Sequence, residues 1–146
     1  MSIQLRENIL SARKLPQTDT VLMGRADFLS PADRDLIEAV MIRCQPTESL
    51  GRMLNVRPRV IRKRVHRLGR RLASRKFLDA VRALPYLSDE NAELAKLYYC
   101  QSKPQRTLCE ELSLTTHGLR RRLDRLSAEI ATITRIRRQG RMARTA

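Results

Sequence analysis

The sequence predicts an all-α protein in which one helical unit is used twice. Strand signals are missing: there is no sustained period-two alternation, no Asn-Gly or Asp-Gly turn, and few aromatic residues. Apolar residues instead recur at helical spacing. The chain also repeats itself at an offset of 58 residues, with ten identities between positions 29–68 and 87–126. The identities are Leu29/Leu87, Ser30/Ser88, Leu36/Leu94, Pro46/Pro104, Leu50/Leu108, Leu54/Leu112, Arg62/Arg120, Arg64/Arg122, Arg67/Arg125 and Leu68/Leu126. A fixed period of this length marks one supersecondary unit used more than once.

The elements follow in order. Residues 3–15 form a short helix ending before Pro16, and 16–28 read as a linker. Ser30-Pro31-Ala32-Asp33 is a helix start: a cap, a proline at the first position and an acid in the first turn. Leu36, Ile37, Val40 and Met41 give that helix its apolar stripe, and it should end before Pro46. A short helix follows, capped by Thr47 and anchored by Leu50 and Leu54. Asn55-Val56-Arg57 makes a tight turn with Val56 pointing inward. Pro58 opens a longer helix lined by Ile61, Val65, Leu68 and Leu72. Phe77, Leu78, Val81 and Leu84 belong to a connecting helix that Pro85 stops.

The second copy repeats the plan. Ser88-Asp89-Glu90 starts a helix bearing Leu94, Leu97 and Tyr98, and a short helix then carries Leu108 and Leu112. A long helix shows Leu119, Leu123, Leu126, Ile130 and Ile133. The organisation is therefore 1–28 as N-terminal helix and linker, 29–84 as first unit with connector, 85–134 as second unit, and 135–146 as a basic tail. The tail should fray; it is either a phosphate-binding arm or a solvated end.

Charge alternates in step with the repeat. The net charge is +15, yet residues 49–78 hold eleven basic and no acidic side chains. Residues 112–146 hold nine basic and two acidic ones, while the blocks 1–48 and 79–111 are slightly acidic. Clustered positive charge points to a polyanion, most often nucleic acid.

Each unit is a supporting helix, a short helix, a tight turn and a longer basic helix, which is the helix-turn-helix arrangement. In that arrangement the last helix enters the DNA major groove. Arg59, Arg62 and Lys63 in the first copy, and His117, Arg120 and Arg121 in the second, are placed to reach base edges. Arg64 and Arg67, with Arg122 and Arg125, lie to the side where phosphates would be, and Arg57 precedes the first basic helix.

These residues carry a family resemblance. The stretch from Thr47 to Leu68 resembles the C-terminal promoter-reading region (region four) of bacterial sigma factors. It matches at the polar cap Thr47, at apolar Leu50, Leu54, Val56 and Ile61, and at basic Arg64 and Arg67. The second copy is similar through Leu108, Leu112, Leu114, Thr115, Leu119, Arg122 and Arg125. Gly51, Arg52 and Arg57 depart from the family pattern, and the chain has no room for its promoter-melting, polymerase-binding region. The resemblance implies a DNA-binding regulator built from two such regions, with RNA polymerase as a further partner and a place at the bacterial nucleoid.

Other classes are excluded or ranked lower. Cys44, Cys100 and Cys109 form no CxxC pair, and His66 and His117 lack ligand spacing, so neither a metal nor another cofactor is expected. The cysteines read as reduced thiols in or near the core. No Ser/His/carboxylate or Cys/His constellation supports catalysis, so the chain is not expected to be an enzyme. No apolar stretch resembles a signal peptide or membrane span, which favours the cytoplasm and no membrane partner. The second reading is a polymerase- or regulator-binding adaptor that keeps the helix-turn-helix shape, using the block 79–111 with Tyr98 and Tyr99. Duplex RNA is a third candidate partner.

Overall fold

Every regular element among the described residues is helical. The computed structural model describes residues 23–145, which divide between Leu72 and Ala73 into two units. The helix expected over residues 3–15 lies outside the described residues. The linker expected at 16–28 is in part helical, because residues 23–26 form a helical turn.

In the first unit, α1 spans Pro31–Ile37 and continues as a π-helical turn, Glu38–Ile42. Ser30 takes the N-cap position in extended conformation, but its side chain makes no capping hydrogen bond. Helix α2 is Thr47–Leu54 and α3 is Pro58–Ala73. The expected cap at Thr47 is displaced by one residue: Pro46 occupies the cap position, and Thr47 is the first helical residue. The buried residues are Ala26, Leu29, Leu36, Ile37, Leu50 and the α3 stripe of Ile61, Val65, Leu68 and Leu72. Burying one such leucine or isoleucine contributes about 1.5–3 kcal/mol. Arg25 Nη1 donates to the Leu72 carbonyl at 3.3 Å, tying the entry of the unit to the end of α3.

In the second unit, α4 (Arg75–Ala83) leads through a 3-10 turn at Leu84–Tyr86 into α5 (Asp89–Ala95). A π-helical turn, Lys96–Cys100, then precedes α6 (Gln105–Glu111) and α7 (Thr116–Thr145). Ser74 and Ser88 are working caps, accepting from the Phe77 and Asn91 amides. The core joins Ala80, Ala83, Leu94, Ala95, Leu108, Leu119, Leu123, Leu126 and Ile130. Helix α4, expected from sequence as a connector of the first unit, packs here instead. Its small residues Ala80 and Ala83 are fully buried and let it approach α7 closely.

The 58-residue period is reproduced in the backbone as well as in the side chains. Among the described residues, the non-glycine positions with positive φ are Cys44 and Ser102, each at 50°, and Asn55 and Ser113, each at 52°. The π-helical turns, 38–42 and 96–100, stand at the same offset. Val56 N–H donates to the Gly51 carbonyl at 2.9 Å, and Leu114 N–H donates to the Cys109 carbonyl at the same distance. One partly buried polar contact recurs with its chemistry exchanged. Asp33 pairs with Arg71 in the first unit; Asn91 Nδ2 donates to Glu129 at 2.9 Å at the equivalent positions of the second.

Three side-chain expectations are corrected. Leu54 is 57 % exposed and Val56 37 % exposed, so neither anchors the first unit. Their counterparts Leu112 and Leu114 do pack against the core of the second unit. The turn after α2 is tight for a backbone reason instead: a Cβ on Gly51 would stand 2.7 Å from the Val56 carbonyl oxygen. The tail does not fray at residue 135 either, since α7 continues to Thr145. Gly140, a single glycine, does not interrupt it. Finally, Cys44 is exposed, whereas Cys100 is buried and Cys109 half-buried.

Candidate nucleic-acid interface

Helix α3 sorts its side chains by angular position. Ile61, Val65, Leu68 and Leu72, at spacing 4, 3, 4, are turned into the unit. The opposite face carries Arg59, Lys63, His66 and Arg70 at the same spacing, and all four are exposed. No acidic residue lies on α3, so four polar groups, three of them permanent cations, form an uninterrupted outward stripe. Arg67 is exposed beside it, and Arg57 is exposed where the chain enters the helix.

The flanks of α3 behave differently. Arg64 donates from Nε and Nη2 to Asp33 Oδ1, at 2.8 and 2.7 Å, and Arg71 Nη1 lies 3.8 Å from Asp33 Oδ2. Asp33 is 9 % exposed, so this pair of arginines satisfies a buried carboxylate and fixes α1 against α3. Arg64, expected at a phosphate, also serves as a strut within the unit. Arg62 Nη1 reaches Glu48 Oε1 on α2 at 3.1 Å in an exposed pair. Such a pair contributes little stability and is readily exchanged for another anion.

Helix α7 repeats the scaffold of α3 but not its outward face. The equivalent outward positions are His117, Arg121, Asp124 and Ala128. The stripe is thus reduced to one permanent cation and carries an acid. Arg120 and Arg125 are exposed at the flanks, while Arg122 Nη2 donates to Glu90 Oε2 at 2.6 Å. Thr115 caps α7, its Oγ1 accepting from the Gly118 amide at 3.1 Å, where the first copy has Arg57.

All eleven residues singled out from the sequence are at least partly exposed. They fall into three sets. The first comprises outward or open residues of the first unit: Arg57, Arg59, Lys63 and Arg67. The second comprises the open residues of the second unit: His117, Arg120, Arg121 and Arg125. Arg62, Arg64 and Arg122 form the third, the ion-paired flank. Arg70, on the outward stripe, completes the first set, and its 4, 3, 4 spacing from Arg59 is the signal that finds it.

The second unit also holds Tyr98 and Tyr99, with rings 5.0 Å apart, edge to face. Both pack against the core. The Tyr99 phenol is pushed above its usual pKa, mainly by burial; a hydrogen bond with Ser127 opposes this, and Tyr98 and Asp124 add to it.

Among the described residues no group of three or more His, Cys, Asp or Glu side chains could hold a metal ion. No helix among them is long and apolar enough to cross a membrane. The chain matches no protein-family model, no curated protein and no solved structure.

Proposed function

We propose that this protein binds double-stranded DNA through two helix-turn-helix units and regulates transcription, with α3 as the principal DNA-reading helix. The observation that carries the reading is the outward stripe of α3, Arg59, Lys63, His66 and Arg70, unbroken by any acid and backed by a fully apolar stripe. A solvated helix face ordinarily mixes both signs of charge. A helix that presents one sign has a partner of the other, and a single helix of this width suits the major groove.

Within that reading, Arg59, Arg62 and Lys63 stand on the first two turns, where recognition helices touch base edges. Arg57, Arg67 and Arg70 supply phosphate contacts, which give affinity and register. The second unit, with His117, Arg120, Arg121 and Arg125 and an acid on its face, contributes fewer contacts and a different preference. Linkage of the two units in one chain raises apparent affinity when both engage. The likeness to sigma region four rests on the sequence pattern alone and suggests promoter DNA as the class of target. Selection of bound duplexes from a random pool tests this reading: one strong motif is the expected outcome, and a pool that stays random removes sequence-specific binding.

One observation favours the adaptor reading as a second possibility. Met53, Leu54 and Val60 are 72 %, 57 % and 51 % exposed, apolar side chains left open in the unit that carries the basic stripe. Tyr98 and Tyr99 are engaged with the core, so this group is the better candidate for contact with polymerase or another regulator. Capture of purified polymerase that is abolished by Met53→Ser/Leu54→Ser, and kept when the basic stripe is neutralised, supports it; equal capture by both variants counts against it.

A further inference from the structure

Helices α2 and α3 of the first unit are linked by an ion pair that the second unit does not repeat. Glu48, on the first turn of α2, accepts at Oε1 from Arg62 Nη1 at 3.1 Å. Its Oε2 accepts from the Thr47 hydroxyl at 3.4 Å. At the 58-residue offset Glu48 becomes Arg106, which turns to Glu110 on its own helix at 3.3 Å. Arg62 becomes Arg120, which has no ion pair among the described residues. The second unit thus folds on the same plan without this pair, and the scaffold does not require it.

Both partners are exposed, so the pair adds little to stability. Its effect falls on Arg62. A free arginine has many rotamers to lose on binding, and a carboxylate contact removes part of that loss beforehand. Only Nη1 is engaged; among the described residues the Nε–Nη2 edge of the fork makes no hydrogen bond. Two N–H groups side by side match the O6 and N7 acceptors of guanine. Glu48 also sets what Arg62 gains from a phosphate. A phosphate that takes the guanidinium leaves the carboxylate unpaired beside a polyanion, so that exchange returns little. A guanine edge is neutral and can be taken with the pair intact.

We propose that Glu48 is a positioning residue that reserves Arg62 for a guanine in the major groove, an inference that rests on α3 being the DNA-reading helix. The test is selection of bound duplexes from a random pool by the full chain, by Glu48→Ala and by Arg62→Gln, with salt titrations on a duplex of unrelated sequence. Glu48→Ala leaves Arg62 as an unpaired cation. It should bind the unrelated duplex about threefold tighter and steepen the salt slope by about 0.9. Its selected motif should lose the guanine preference at the position that Arg62→Gln loses, with the other positions and the circular dichroism spectrum unchanged. A Glu48→Ala motif identical to that of the unmodified chain, or a loss spread over all positions, overturns the proposal. A pool that stays random with the unmodified chain removes the DNA reading itself, and this proposal with it.

Discussion

Replacing Arg59, Lys63 and Arg70 together by glutamine is expected to abolish most duplex binding while leaving the fold intact. The three side chains are exposed and lie opposite the buried stripe, so neutral polar replacements remove charge without disturbing packing. Each neutralised phosphate contributes about 0.9 to the slope of log affinity against log salt, so loss of the Arg70 contact lowers the magnitude of that slope by about 0.9. Where Arg59 also reads a base, its replacement costs a further 1–3 kcal/mol, roughly, at the preferred site. Arg121→Gln in the second unit should cost no more than a single phosphate interaction. An unchanged gel-shift titration of the triple variant, with its circular dichroism spectrum also unchanged, would take α3 out of the interface.

The second large effect concerns stability rather than binding. Asp33→Ala removes the buried carboxylate that Arg64 and Arg71 share and should destabilise the first unit by about 1–3 kcal/mol. The lower part of that range applies because the Arg64 side chain is about half exposed and solvent screens its share. For a unit of this size each kcal/mol lowers the melting temperature by roughly 4–8 °C. Asn91→Ala, at the equivalent position, removes a hydrogen bond to Glu129 and should cost only about 1 kcal/mol. Equal melting temperatures for Asp33→Ala and the unmodified chain would show that the aspartate is not a structural tie.

Helical spacing identifies the apolar stripes of both long helices, and every residue named for them from Ile61 to Ile130 is buried. Matching residues at the 58-residue offset also anticipate a recurrence that extends to the paired positive-φ residues. Periodicity gives the angle of a side chain around its helix, however, and not which neighbour covers it. Leu54 and Leu112 are therefore alike in sequence, yet one is open and the other packed. For the same reason the tie between Asp33 and Arg64, which are 31 residues apart, is not legible in the sequence. Nor is the π-helical turn before Cys44 and Ser102, because no glycine marks a left-handed residue there. The course of α7 beyond residue 135 is hidden as long as the basic tail is taken for an end, whereas positions 137 and 141 continue the inward stripe of that helix.

Salt dependence of duplex binding by the unmodified chain is the most direct measurement of the central claim. With the outward cations of α3 on phosphates and bases, log affinity should fall against log salt with a slope of at least about −3 between roughly 50 and 200 mM. Binding whose affinity does not change over that range, or no binding at its low end, would contradict an electrostatic DNA interface on α3.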